Sequence, residues 1–226
     1  MPSIITHAAV PLALWCAADR GRIPPRLLAA GVIAAMLPDA DVLAFALHIP
    51  YADAFGHRGA SHSLLFAGVL AALAAVLALF GNCRPWSAQH ASGSRRPWSA
   101  PHSPGSRRPW SAVSCQPRLA PTRARPTVAS TVQAAVFVFI CAASHPLLDA
   151  MTSGGLGVAL AWPWSEHRFF APWRPIRVSP FAPQFFSTRG LATLLSELRW
   201  VWLPLAGAVV AWKLIQPAPA APRDPS

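Results

Sequence analysis

Apolar residues fall into five runs separated by more polar stretches. Residues 4–18, IITHAAVPLALWCAA, are apolar apart from Thr6 and His7. Their shortness and Pro11 predict a tilted or partly inserted helix. The turn DRGRIPPR at 19–26 ends that helix and starts another over 27–49, LLAAGVIAAMLPDADVLAFALHI. Its middle is interrupted by Pro38-Asp39-Ala40-Asp41. Proline removes a helical donor, and carboxylates at i and i+2 lie on different faces of a regular helix. A break there lets both turn to one side, which a membrane tolerates where such backbone lines a cavity.

A polar connection over 50–61 leads into 63–80, SLLFAGVLAALAAVLALF. This run carries no charge and is the clearest span, with Ser61 or Ser63 suited to its N-cap. Residues 128–143 form another apolar run and continue into Ser144-His145-Pro146-Leu147-Leu148-Asp149. His145 and Asp149, four apart, share a face if the helix persists past Pro146. Residues 161–189 are rich in Trp, Pro and Arg without helical or strand periodicity, which predicts a segment lying at the membrane interface. The last apolar run spans about 200–215. The expected fold is an all-α polytopic membrane bundle of about 4–5 membrane segments. One membrane-embedded domain comprises 1–81 and 128–215, with a disordered tail at 216–226.

Composition supports a membrane class: 54% of residues are hydrophobic and only 12% charged, about half the charge of an ordinary soluble domain. The net charge of +11 would fit a nucleic-acid partner, but its distribution argues against one. Residues 82–127 hold eight arginines and no acid, so the rest of the chain carries eleven basic residues against eight acids. Such a loop reads first as cytoplasmic. It contains a tandem repeat of period twelve, RPWSAQHASGSR, RPWSAPHSPGSR and RPWSAV, beginning at 84, 96 and 108. The repeats lack an apolar face to stack and are dominated by Pro, Ser and Gly, so 82–127 is expected to be a disordered insertion. His90 and His102 recur there because the repeat does. The four cysteines, at 16, 83, 115 and 141, show no metal or redox spacing. No Lys or Arg precedes Arg20, so the positive leader of a secretory signal is missing.

Placing the basic loop and the arginine turn in the cytoplasm orients the helices. His57, His62, His145 and Asp149 then fall toward the opposite face, with Asp39, Asp41 and His7 in the outer half. At ~1.5 Å per residue, His7 and Asp39 lie roughly 16–20 Å from the inner end, and His62 and His145 about 25–27 Å. A tilted or broken helix absorbs that difference. His7, Asp39, Asp41, His57, His62, His145 and Asp149 therefore form a candidate imidazole–carboxylate metal site. The donor set suits a divalent ion, Zn²⁺ first and Mn²⁺ or Fe²⁺ next. Seven candidates exceed one tetrahedral shell, so either two ions are held or some members orient the others.

These motifs resemble the YdjM-like family of bacterial inner-membrane, membrane-bound metal-dependent hydrolases. The resemblance rests on Thr6-His7, Leu37-Pro38-Asp39-Ala40-Asp41 and His57-Arg58-Gly59-Ala60-Ser61-His62-Ser63. It continues in His145-Pro146-Leu147-Leu148-Asp149-Ala150-Met151-Thr152, Gly154-Gly155, Trp162-Pro163-Trp164 and Arg168-Phe169, spanning about 1–180 without the repeats. It implies a metal-dependent hydrolase of the bacterial inner membrane. In that setting His57 is expected as a ligand or the acid assisting the leaving group, and Arg58 as a phosphate holder or lipid anchor. His57, on the loop, is expected to be more mobile than His62. The expected partners are membrane lipid and a small-molecule or lipid-like substrate, a phosphoester or lipid headgroup. The alternative is a non-enzymatic metal- or proton-binding transporter or sensor, against which no second copy of the Asp pair or His stretch is found.

Overall fold

The computed structural model describes residues 2–19, 22–80, 127–180 and 184–216. The repeat insertion, Cys83, Cys115 and nearly all of the tail lie outside the described residues. The described residues are all-helical, without strands beyond two isolated bridges, Thr152 with Ile176 and Val158 with Phe169. A 3-10 turn over Ile4–Ala8 leads into α1 (Ala9–Ala17). Helix α2 (Pro25–Met36) passes through a 3-10 turn, Leu37–Val42, into α3 (Leu43–Ala46). A short 3-10 turn, Ala60–His62, precedes α4 (Leu64–Phe80), and α5 covers Val128–Ala150. The last helix runs as α6 (Thr188–Glu197), a π turn at Leu198–Trp202, and α7 (Leu203–Ile215).

Three of these stretches are long and apolar enough to cross a membrane: Pro25–Ala46, Val128–Ala150 and Thr188–Ile215. Two shorter apolar helices, Ile4–Ala17 and Leu64–Leu79, accompany them. The charge-free run read as the clearest span is thus a helix of only 17 residues, about 25 Å long at 1.5 Å per residue. It stands at the lower limit for a bilayer core.

Local chemistry explains each boundary that matters. Pro25 sits in the first turn of α2, where its missing N–H costs nothing. Ser63, not Ser61, caps α4: its hydroxyl accepts from the Phe66 N–H at 3.1 Å. Helix α5 opens on a capping box, in which the Thr127 hydroxyl accepts from Ser130 N and the Ser130 hydroxyl from Thr127 N. It carries Pro146 internally without ending. The final helix begins at Thr188, about a dozen residues before the apolar run expected at 200. Its first turns bury a polar face, Gly190, Thr193 and Glu197, and expose Leu191, Leu194 and Leu195, an inversion that hydropathy does not register.

Helices α2, α4 and α5 form the core, closed by small side chains: Ala34, Ala35, Ala67, Ala142 and Ala143 around Phe137, Val138 and Cys141. Small residues let helices approach closely where lipid offers no hydrophobic drive. Large apolar residues instead face outward, among them Ile33, Leu73, Leu77 and Val132. Helix α1 packs between α2 and α7. The irregular segment 151–180 covers the end of the core where the polar residues gather.

Candidate metal centre

Three segments deliver four polar residues to one point. In α5, His145 and Asp149 lie one turn apart on the buried face, and both have no exposed surface. Asp39 comes from the 3-10 turn that contains Pro38, and His62 ends the turn leading into α4. Donor atoms of Asp39, His62, His145 and Asp149 all lie within 4.8 Å of one another.

Hydrogen bonding at the outer ring nitrogens fixes which way the two histidines point. A helix C-terminus leaves its last carbonyls without intrahelical donors, and the Ala35 carbonyl lies at the end of α2. It accepts from His145 Nδ1 at 2.7 Å. That nitrogen must carry a hydrogen, so Nε2 presents a lone pair. His62 Nδ1 lies 3.0 Å from both Asp41 Oδ2 and the Ser61 hydroxyl, which itself donates to Asp41 Oδ2 at 2.7 Å. His62 Nδ1 is therefore also the donor, and its Nε2 faces inward. The two Nε2 atoms stand 2.9 Å apart. Lone pairs at that separation repel unless a cation lies between them, either a proton on one ring or a metal ion.

The carboxylates complete the case. Asp39 Oδ1 lies 3.4 Å from His145 Nε2 and 3.9 Å from His62 Nε2, and Asp149 Oδ2 lies 3.3 Å from His62 Nε2. All four carboxylate oxygens of Asp39 and Asp149 are buried without a hydrogen-bond donor. Unmet buried acceptors are costly, and buried charges are usually paired or bind metal. Two donors each 2.0–2.1 Å from a tetrahedral ion are separated by about 3.3 Å, close to these spacings. The residues present thus fit a divalent ion. Burial alone lowers the His62 imidazole, but the Asp149 and Asp41 carboxylates facing it override that and raise it to about 9.

Other predicted residues stand around this group. His7 is fully buried, stacked on His145 with centroids 3.7 Å apart, and its Nε2 is 3.7 Å from an oxygen of each aspartate. Asp41 lies outside the group and links His62 to His57, whose Nδ1 is 2.5 Å from Asp41 Oδ1. His57, read from sequence as the loop-borne histidine, is 2% exposed. Arg58, 1% exposed, is turned inward: Nε is 3.0 Å from Asp149 Oδ2, Nη1 donates to the Gly154 carbonyl and Nη2 to the Thr152 hydroxyl. Since neither atom counts as hydrogen-bonded, the Nε contact is an ion pair rather than an aligned hydrogen bond.

Backbone geometry in this loop is unusual for one residue. Arg58 is left-handed, with φ 63°, a conformation that costs a bulky residue about 1–3 kcal/mol. Gly59 beside it is not left-handed; it is needed for close approach, since a Cβ would lie 2.1 Å from the Ala54 carbonyl. Gly155, at φ 88°, leaves room for the Arg58 guanidinium, which a Cβ would approach to 2.7 Å.

Three further residues take part in ways that sequence reasoning did not assign. Ser61 steers Asp41 and His62. Arg168 clamps the preceding loop by donating to the carbonyls of Tyr51, Ala52, Asp53, His57 and Arg58. Glu197, 1% exposed, accepts from Ser3 N and from the hydroxyls of Ser3 and Thr6, tying the His7 turn to the last helix. As the only acid between 180 and 215, Glu197 could have been found as a polar residue inside an apolar segment.

Fold and centre define a class: a helical membrane protein with a buried carboxylate–imidazole group able to hold a metal ion. The family model for the YdjM inner membrane protein matches residues 1–220, so the chain belongs to the YdjM inner membrane protein family. It is 40% identical over 205 residues to the inner membrane protein YbcI of Escherichia coli (strain K12), covering 90% of this chain and 92% of that protein. No solved structure matches the chain. Family and relative, together with the apolar helices, support an inner-membrane location.

Proposed function

We propose that the protein is a membrane-bound metal-dependent hydrolase acting on a phosphoester or a lipid headgroup. The observation that carries the metal reading is the convergence of donor atoms from Asp39, His62, His145 and Asp149 within 4.8 Å, with all four aspartate oxygens buried and unmet. Asp39, His62, His145 and Asp149 hold the ion, and Zn²⁺ suits these donors best. A divalent ion supplies Lewis acidity, polarising a substrate oxygen and lowering the pKa of water toward neutrality. Asp41 orients both His62 and His57, and His57 serves as the acid that protonates the leaving group. Arg58 acts through Asp149, which it holds by its ion pair, and through Thr152 and Gly154. The positive-inside distribution supports a centre toward the non-cytoplasmic face. Impermeant labelling of Asp53→Cys, in a background lacking the native cysteines, should then occur in right-side-out vesicles and fail in inverted ones.

Burial of all four donors favours a second reading, a non-enzymatic metal- or proton-binding transporter or sensor. Metal analysis of detergent-purified wild type beside His62→Ala and Asp39→Ala tests the centre. Stoichiometric metal in wild type and its loss in both variants is expected; folded wild type without metal after supplementation sinks the reading. Hydrolysis of p-nitrophenyl phosphate and of phosphatidic acid in mixed micelles separates the two functions. His57→Gln should keep the metal and lose turnover, whereas metal without turnover on either probe favours the second reading.

A further inference from the structure

His7 is not needed by the four-residue group, yet it is the most isolated polar side chain beside it. Both ring nitrogens lack a hydrogen-bond partner, although the side chain has no exposed surface. Its Nε2 lies 3.7 Å from Asp39 Oδ2 and 3.7 Å from Asp149 Oδ1. Those are the oxygens turned away from the rest: Asp39 Oδ1 faces His145 and His62, and Asp149 Oδ2 faces His62 and Arg58. Each carboxylate therefore presents one oxygen to each side. At 3.7 Å the His7 contacts are too long for hydrogen bonds, but the spacing suits donors that each lie about 2.1 Å from a common ion. The ring is held there by stacking on His145 and by the Ile4–Ala8 turn, which Ser3 and Thr6 pin to Glu197.

We propose a second divalent-cation site built from His7 Nε2, Asp39 Oδ2 and Asp149 Oδ1, so that the two aspartates bridge a pair of ions. The proposal rests on the metal reading above. Bridged ions of this kind lie about 3.5–4 Å apart. The fixed charges around the centre are Asp39, Asp41 and Asp149 against Arg58. One divalent ion balances them. The second therefore binds more weakly, and an anion that offsets its charge, such as inorganic phosphate, tightens it.

The test is a Mn²⁺ titration of the stripped, detergent-purified full chain, with bound metal counted by mass spectrometry and the spin state read by EPR. Wild type is expected to bind two ions, the second at least tenfold more weakly and more tightly with phosphate present. An exchange-coupled pair spectrum should replace the mononuclear six-line signal as the second site fills. His7→Ala and the bulkier His7→Gln should keep one tight ion and lose the coupled spectrum. Wild type that saturates at one ion, or His7 variants that still bind a coupled pair, overturns the second site. The coupled signal of wild type alone decides the matter if the variants fail to fold. A single bound ion leaves the four-residue centre standing, whereas none at all removes both.

Discussion

Asp41→Asn is the sharpest perturbation of this centre, because Asp41 shapes the site without belonging to the four-donor group. Its carboxylate meets His57 Nδ1, Arg58 N, Ser61 Oγ and His62 Nδ1. Losing the charge weakens the bond that orients His62 and makes its Nε2 a strong donor. Partners of this kind typically contribute 10–100-fold in metal affinity, about 1.4–2.8 kcal/mol. Proton competition modifies that number with a definite sign. His62 is raised to about 9, so at pH 7 the wild type must first lose a proton, a cost of roughly 2.7 kcal/mol. Wild-type affinity should therefore rise with pH and level off near 9, with one proton released per ion bound below that point. Asp41 is among the causes of the raised value, so the variant should level off at a lower pH and on a lower plateau. The deficit is thus largest at pH 9 and narrows toward pH 7. Chelator-buffered metal titrations across pH 6–9.5 measure it. Equal plateaus within twofold, or a deficit that grows as pH falls, would refute the assignment of Asp41.

Glu197→Ala removes the acceptor for Ser3 N and two buried hydroxyls, and thermal unfolding in detergent should show a loss of about 2–4 kcal/mol, with Glu197→Gln milder; an unshifted melt would contradict the tether. Arg168→Lys replaces a planar fork by a point charge that cannot span five carbonyls, so limited trypsinolysis at Arg58 should accelerate several-fold while helix content by circular dichroism stays constant. Deleting residues 84–119, which removes the repeats and no centre residue, should leave metal content and melting temperature unchanged; a fall in bound metal would give the repeats a role in the site.

Much of the helical layout was legible because lipid-facing helices must be apolar over most of their length, and four of the five apolar runs coincide with helices. The last began early because its first two turns turn leucines outward and bury Thr193 and Glu197, so mean hydropathy understates it. The candidate site was visible for a related reason: His, Asp and Arg are conspicuous in apolar surroundings, whatever their partners. Spacing could not rank those seven residues. Asp39 and Asp41 are equivalent in sequence, yet the 3-10 turn that contains Pro38 sends one to the histidine pair and the other to His57. Likewise, the tautomer of His145 depends on a carbonyl at Ala35, 110 residues away and invisible to any side-chain motif. Arg58 shows the limit most clearly. As a basic residue at a helix entrance it matched an exposed phosphate or headgroup contact, but its left-handed backbone and the room left by Gly155 turn it inward onto Asp149. The cost of that conformation and of a buried guanidinium is offset only while Asp149 is ionised beside it, which makes the carboxylate at the centre of the site a structural necessity as well as a candidate ligand.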